Sequence, residues 1–146
     1  MKEIGTRPSG LEVGNAWQLR DPQKPMTNWI VGEFSTIDAE SLRFMQQGDT
    51  TQNKTGARAT DIAIKWFVHQ PDDPPAWGAV KPTSEGRTMS ILAGDGEFEL
   101  SFQTDGDHYT LTLNIPGDFA IWGPDLAHSW RPLKTSTVLT VRWKPE

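Results

Sequence analysis

Apolar and polar residues alternate with a period of two over much of the second half of the chain. Phe98, Leu100 and Phe102 share one face, and Glu97, Glu99, Ser101 and Gln103 share the other. Tyr109, Leu111, Leu113 and Ile115 alternate in the same way with Thr110, Thr112 and Asn114. Asp61 to His69 differs, with Ile62, Ile64, Trp66 and Val68 on one face and Ala63, Lys65, Phe67 and His69 on the other. Both of those faces are largely apolar, which predicts a strand covered on each side. Asn28 to Phe34, Arg87 to Ala93, Phe119 to Trp122 and Thr137 to Trp143 are further strands, rich in aromatic and β-branched residues.

Turn signals separate these runs. Gly94-Asp95-Gly96 predicts a hairpin, because such tight turns need positive φ. Thr104-Asp105-Gly106-Asp107, Gly117-Asp118 and Gly123-Pro124-Asp125 predict three more turns, and residues 70–75 a Pro-rich break. Ser35 to Met45 fits either a brief helical turn or a loop with an edge strand, and Gln46 to Ala59 is a polar surface loop. Residues 1–26 carry little pattern beyond Leu11-Glu12-Val13 and predict an irregular N-terminal arm, either mobile or laid on a partner. Residues 27–146 then form one all-β domain with sandwich or barrel spacing.

Composition narrows the function. The 146 residues suit a single domain, and 13 Gly with 11 Pro favour strands and turns over long helices. The net charge of −5, without any run of Lys or Arg, gives no footprint for nucleic acid or an anionic membrane. With no Cys, disulfides, thiolate metal sites and Cys nucleophiles are excluded. The first residues lack a signal-peptide core and no apolar run approaches the roughly 18 residues of a membrane span, so a cytoplasmic protein is expected. Seven Trp is a high count for this length and assigns them to core, interface or pocket walls. No P-loop, dinucleotide fingerprint or nucleophile elbow is present.

The stretch from Gly117 to Trp130 resembles the second sequence motif of the cupins: a turn Gly, a short strand, a Gly/Pro turn and a His eleven residues on, at His128. Gly123 stands where the family usually has Pro, with Pro124 one place later. Ile91 to Phe98 is similar to the end of the first motif, and the resemblance spans about residues 60–143, with Lys65-Trp66, His128-Ser129-Trp130 and Val141-Arg142-Trp143 as its further marks. It implies a cupin-type jelly-roll barrel, often a homodimer, with a pocket in the barrel mouth. Metal-binding cupins take two His and a Glu from the first motif and a His from the second. Here the Glu position falls at Arg87 and the His pair falls within Val80 to Thr83, which holds no ligand, so only His128 matches.

Two readings follow from the resemblance. In the first, the standard metal is absent and the barrel binds an organic molecule. In the second, a single divalent metal sits on His128, with His69 and a carboxylate from elsewhere, as in a cupin oxidoreductase or dioxygenase. A structural or interaction protein without an open cavity is the third alternative, and whether the chain is an enzyme stays open. His128 is the candidate acid or base, since imidazole titrates near neutral pH. If Arg87 takes the Glu slot, alternation puts it on the barrel face with Met89 and Ile91, where its fork of donors suits a carboxylate or phosphate. Trp122 and Trp130 would then be flat walls, with Lys65 a second positive charge and His69 close by, so the expected ligand is an acidic small molecule. A register slipped by one residue would instead turn Arg87 to solvent and Thr88 inward.

Overall fold

The computed structural model describes residues 1–18, 22–23, 59–73 and 86–145. Nine strands run in chain order: β1 (Lys2–Ile4), β2 (Glu12–Asn15), β3 (Ala59–His69), β4 (Arg87–Leu92), β5 (Glu97–Thr104), β6 (Asp107–Leu113), β7 (Asp118–Trp122), β8 (Ala127–Lys134) and β9 (Ser136–Pro145). They form two antiparallel sheets, a four-stranded one in the order β1-β6-β5-β8 and a five-stranded one in the order β2-β7-β4-β9-β3. From β4 onward the chain alternates between the sheets except at the β5–β6 hairpin, so that β4, β7 and β9 lie in one and β5, β6 and β8 in the other. That interleaving is the double Greek key of a jelly roll. The fold is therefore all-β and of cupin-type jelly-roll architecture. The strand expected at residues 28–34, the segment at 35–45 and most of the loop at 46–59 lie outside the described residues, as do residues 80–83.

The core fills the space between the sheets. Phe98, Leu100 and Phe102 of β5 and Tyr109, Leu111 and Leu113 of β6 meet Leu92, Ala120, Trp122 and Val138 of the facing sheet. Each large apolar side chain so buried contributes about 1.5–3 kcal/mol. A second cluster of Met89, Phe119, Ile121 and Trp143 is buried on the outer face of the five-stranded sheet. β6 stops at Leu113, and Ile115 is exposed.

Three local expectations change. Gly94-Asp95-Gly96 makes no hairpin, since β4 and β5 belong to different sheets and neither Gly has positive φ. Gly96 is needed for space instead: a Cβ there would sit 2.6 Å from Ser136 Oγ, which bonds the Glu97 amide at 2.9 Å. The hairpin is the β5–β6 turn, where Gly106 has φ 86°. The expected arm carries two short strands, residues 12–15 where Leu11-Glu12-Val13 left room for one and residues 2–4 besides, each at an edge of its sheet among the described residues. Among the described residues β3 lies at the edge of its sheet, and Ile64 and Trp66 on its outer face are 68% and 63% exposed, where a strand covered on both sides was expected.

The Gly117-Asp118 turn anchors the cupin-like stretch. Gly117 holds φ 90°, a left-handed conformation that side chains disfavour. The buried Asp118 carboxylate accepts the Asn114 and Ile115 amides at 3.0 and 2.9 Å and the Asn15 side-chain amide at 2.8 Å. The Met1 amino nitrogen lies 3.3 Å away. Burial alone would raise this carboxyl, but the bonds from Asn15, Ile115 and Asn114 outweigh it and hold Asp118 below the usual Asp range.

Candidate functional site

The two sheets part at one end to leave a small open cleft, of about 40 Å³ as reached by the centre of a water molecule. Its floor is the inner face of the five-stranded sheet. Strand register lays that face out in rows: Trp122 of β7 is opposite Thr88 of β4, and Thr88 is opposite Arg142 of β9. In the next row Ser90 is opposite Thr140, and Thr140 is opposite Lys65 of β3. The roof comes from the other sheet, with Phe98 and Leu100 of β5 and His128 and Trp130 of β8. His69 closes one side, its ring 4.9 Å from Phe98 and 4.7 Å from Phe67.

His128 and Trp130 share the cleft face, as their two-residue spacing requires. The Trp122 and His128 ring centroids are 4.8 Å apart, and His128 also stacks against Trp130 at 6.4 Å. His128 Nδ1 lies 3.3 Å from the Leu126 carbonyl; with that nitrogen donating, Nε2 keeps its lone pair. Burial holds His128 below the ordinary His value, the Leu126 bond opposes this, and the nearby Arg142 charge adds to it. His69 is also lowered, by burial and then by Lys65, against an opposite pull from Asp73. Both imidazoles are therefore neutral at pH 7.

Of the sequence-derived candidates, Lys65, His69, Trp122, His128 and Trp130 all line the cleft. Arg87 does not. Thr88 and Ser90 face inward, and Arg87 lies on the opposite face of β4, directly across from Trp143 of the outer cluster. The slipped register is the one found, except that Arg87 is buried rather than turned to solvent. Burial lowers its pKa, with Glu12 pulling the other way. β4 could not reveal this by alternation, because its apolar pair, Met89 and Ile91, packs on an outer face that is itself covered.

Three polar cleft residues, Ser90, Thr140 and Arg142, were not among the candidates, and Thr88 was placed inward only by the slipped register. The signal for Arg142 was present, since it alternates with Val141 and Trp143 and shares a face with Thr140 and Val138. Glu97 and Glu99 point away from the cleft, paired with Lys134 at 2.8 Å and Arg131 at 2.7 Å. His108 meets Ser101 at 2.9 Å on that same outer face.

Among the described residues no three His, Cys, Asp or Glu side chains come together. The two imidazoles share the cleft with Lys65 and Arg142, whose charges oppose a divalent cation.

The chain is thus an all-β protein of jelly-roll fold, with Lys65 and Arg142 in the described lining of a cleft between its sheets. No protein-family model and no curated protein sequence matches it. Among solved structures it is similar to Streptomyces albus HEPD with its substrate 2-hydroxyethylphosphonate and Fe(II) bound, at 19% identity and TM-score 0.48, over 58% of this chain and 18% of that one. It is also similar to WlaRB, a TDP-quinovose 3,4-ketoisomerase from Campylobacter jejuni, at 11% identity and TM-score 0.46, over 56% of this chain and 61% of that one. The chain therefore spans under a fifth of the one and about three fifths of the other. Among the described residues no helix is long and apolar enough to cross a membrane.

Proposed function

We propose that the cleft binds a small acidic molecule, held by Lys65 and Arg142 and flanked by Trp122 and Trp130. One observation carries this reading. The protein has a net charge of −5, yet the described lining of its cleft holds Lys65 and Arg142 and no carboxylate. A concave, low-dielectric site lined by one sign of charge concentrates the opposite one. Arg142 is opposite Ala63, and Lys65 is opposite Thr140, so the two cations are diagonal neighbours on one face of the β3–β9 pair. Such neighbours stand roughly 7–8 Å apart at the backbone, and their long side chains can converge on a single carboxylate or phosphate. Arg142 supplies a planar fork of donors and Lys65 a mobile point charge.

His128 is the cleft's candidate for proton transfer. Its neutral ring, fixed by Leu126 and packed between Trp122 and Trp130, can act as a general base toward a hydroxyl or C–H proton of the bound anion at neutral pH. The test is a thermal-shift screen of small mono- and dicarboxylic acids and phosphorylated acids against wild type, Lys65→Met and Arg142→Met. At least one acid should stabilise the wild type, and either substitution should remove most of that shift. Stabilisation that persists in both variants would exclude these cations as the anchor, and no stabilisation by any acid would overturn the reading.

A further inference from the structure

Thr88 and Trp122 stand opposite each other on β4 and β7, and both line the cleft. Thr88 Oγ1 and Trp122 Nε1 are buried, and neither has a hydrogen-bond partner among the described residues. An indole N–H can only donate, while a hydroxyl can donate or accept. Buried polar atoms are nearly always paired, so two orphans side by side in the wall of a cleft point to a group that arrives from outside. They also extend the row that begins at Arg142, which faces Thr88 directly. Adjacent strands lie roughly 4.8 Å apart, so the anion anchor and the orphan pair are within the reach of one small molecule.

We infer that the ligand carries a second oxygen, a hydroxyl or oxo group on a carbon close to its carboxylate, and that Thr88 and Trp122 read this oxygen. The ligand class is then a small hydroxy- or oxo-carboxylic acid. An oxo oxygen accepts from Trp122 Nε1–H and from the Thr88 hydroxyl. A hydroxyl accepts from the indole and donates to Thr88 Oγ1. The apolar surface of Phe98 and Leu100 above them provides no partner for that oxygen. A site built this way discriminates strongly against an analogue that lacks the oxygen, because binding the analogue leaves the buried donors unpaired. The inference rests on the reading of the cleft as an acid site.

Titration calorimetry on matched sets separates the two claims. Propanoate, butanoate and pentanedioate are each compared with their 2-hydroxy, 3-hydroxy and 2-oxo derivatives. An oxygenated acid should bind about tenfold or more tightly than its parent. Thr88→Val should erase that preference while the parent acid still binds, Thr88→Ser should keep it, and Trp122→Phe should lower the preference together with some of the affinity for every acid. Thr88→Val is nearly isosteric, so the test survives if Trp122→Phe fails to fold. Equal affinities within every set, or a preference that survives Thr88→Val, would overturn the inference with the acid site intact. If no acid binds at all, the acid site falls and this inference with it.

Discussion

Replacing Asp118 by Ala should unfold the protein more readily than any single change at the cleft mouth. The carboxylate accepts three N–H groups within 3.0 Å, from Asn15, Asn114 and Ile115, and its side chain is almost fully buried. Hydrogen bonds to a charged group contribute about 1.5–3 kcal/mol each, but they are not additive, and removing a buried carboxylate also relieves its desolvation. The expected net loss is about 3–5 kcal/mol. For a chain of this size each kcal/mol moves Tm by roughly 2–4 °C, so calorimetry should show a drop of about 10 °C. The pH dependence fixes the cause. The folded-state pKa of Asp118 is below its unfolded value near 3.9, so its contribution is fully present above that value. It is lost as pH falls through the lower, folded pKa. The gap between wild type and Asp118→Ala should therefore be constant from about pH 5 to about pH 7, below the range in which α-amines titrate, and shrink in acid. A loss below about 1 kcal/mol, or a gap that widens on acidification, would refute the argument.

Two further predictions concern titratable groups in and behind the cleft wall. Arg87→Met should leave acid binding within about twofold of wild type, because Arg87 lies on the far side of β4 from the cleft; a loss of about tenfold would place it in the site. His69 and His128 both titrate below the ordinary His value in the folded chain. The unfolded chain therefore takes up protons first as pH drops below about 6.5, and stability should fall from there through the folded pKa values. His128→Gln should flatten part of that slope in urea melts, and an unchanged slope would contradict the assignment.

The alternation of β5 and β6 was legible because each has one polar and one apolar face, so Phe98, Leu100 and Phe102 identified themselves as core. The stretch from Gly117 to His128 was legible for a different reason: its turn needs a Gly at positive φ and an Asp able to accept backbone amides, and few residues do either. β4 was not legible in the same way. Alternation groups Arg87 with Met89 and Ile91, and Thr88 with Ser90 and Leu92, but it does not say which group faces the other sheet. The apolar pair went outward and the small polar pair lines the cleft, and because the outer face of this sheet is itself covered, polarity does not tell the two faces apart. Arg142 was hidden likewise, as a charge near the chain's end reads as solvent-exposed until β9 is known to lie between β4 and β3. The orphaned Thr88 and Trp122 atoms leave no trace in sequence, because they follow from packing rather than pattern.

The central claim is that an acid binds between the sheets, and the most direct measurement follows the seven Trp indole N–H signals by NMR during titration. Trp122→Phe and Trp143→Phe assign the two that matter. On adding the tightest-binding acid from the screen, the Trp122 signal should move progressively to saturation, since its ring lines the cleft. The Trp143 signal, on the outer face of the same sheet, should stay in place. A saturating shift at Trp143 with none at Trp122 would put the ligand on the wrong side of the sheet and contradict the account.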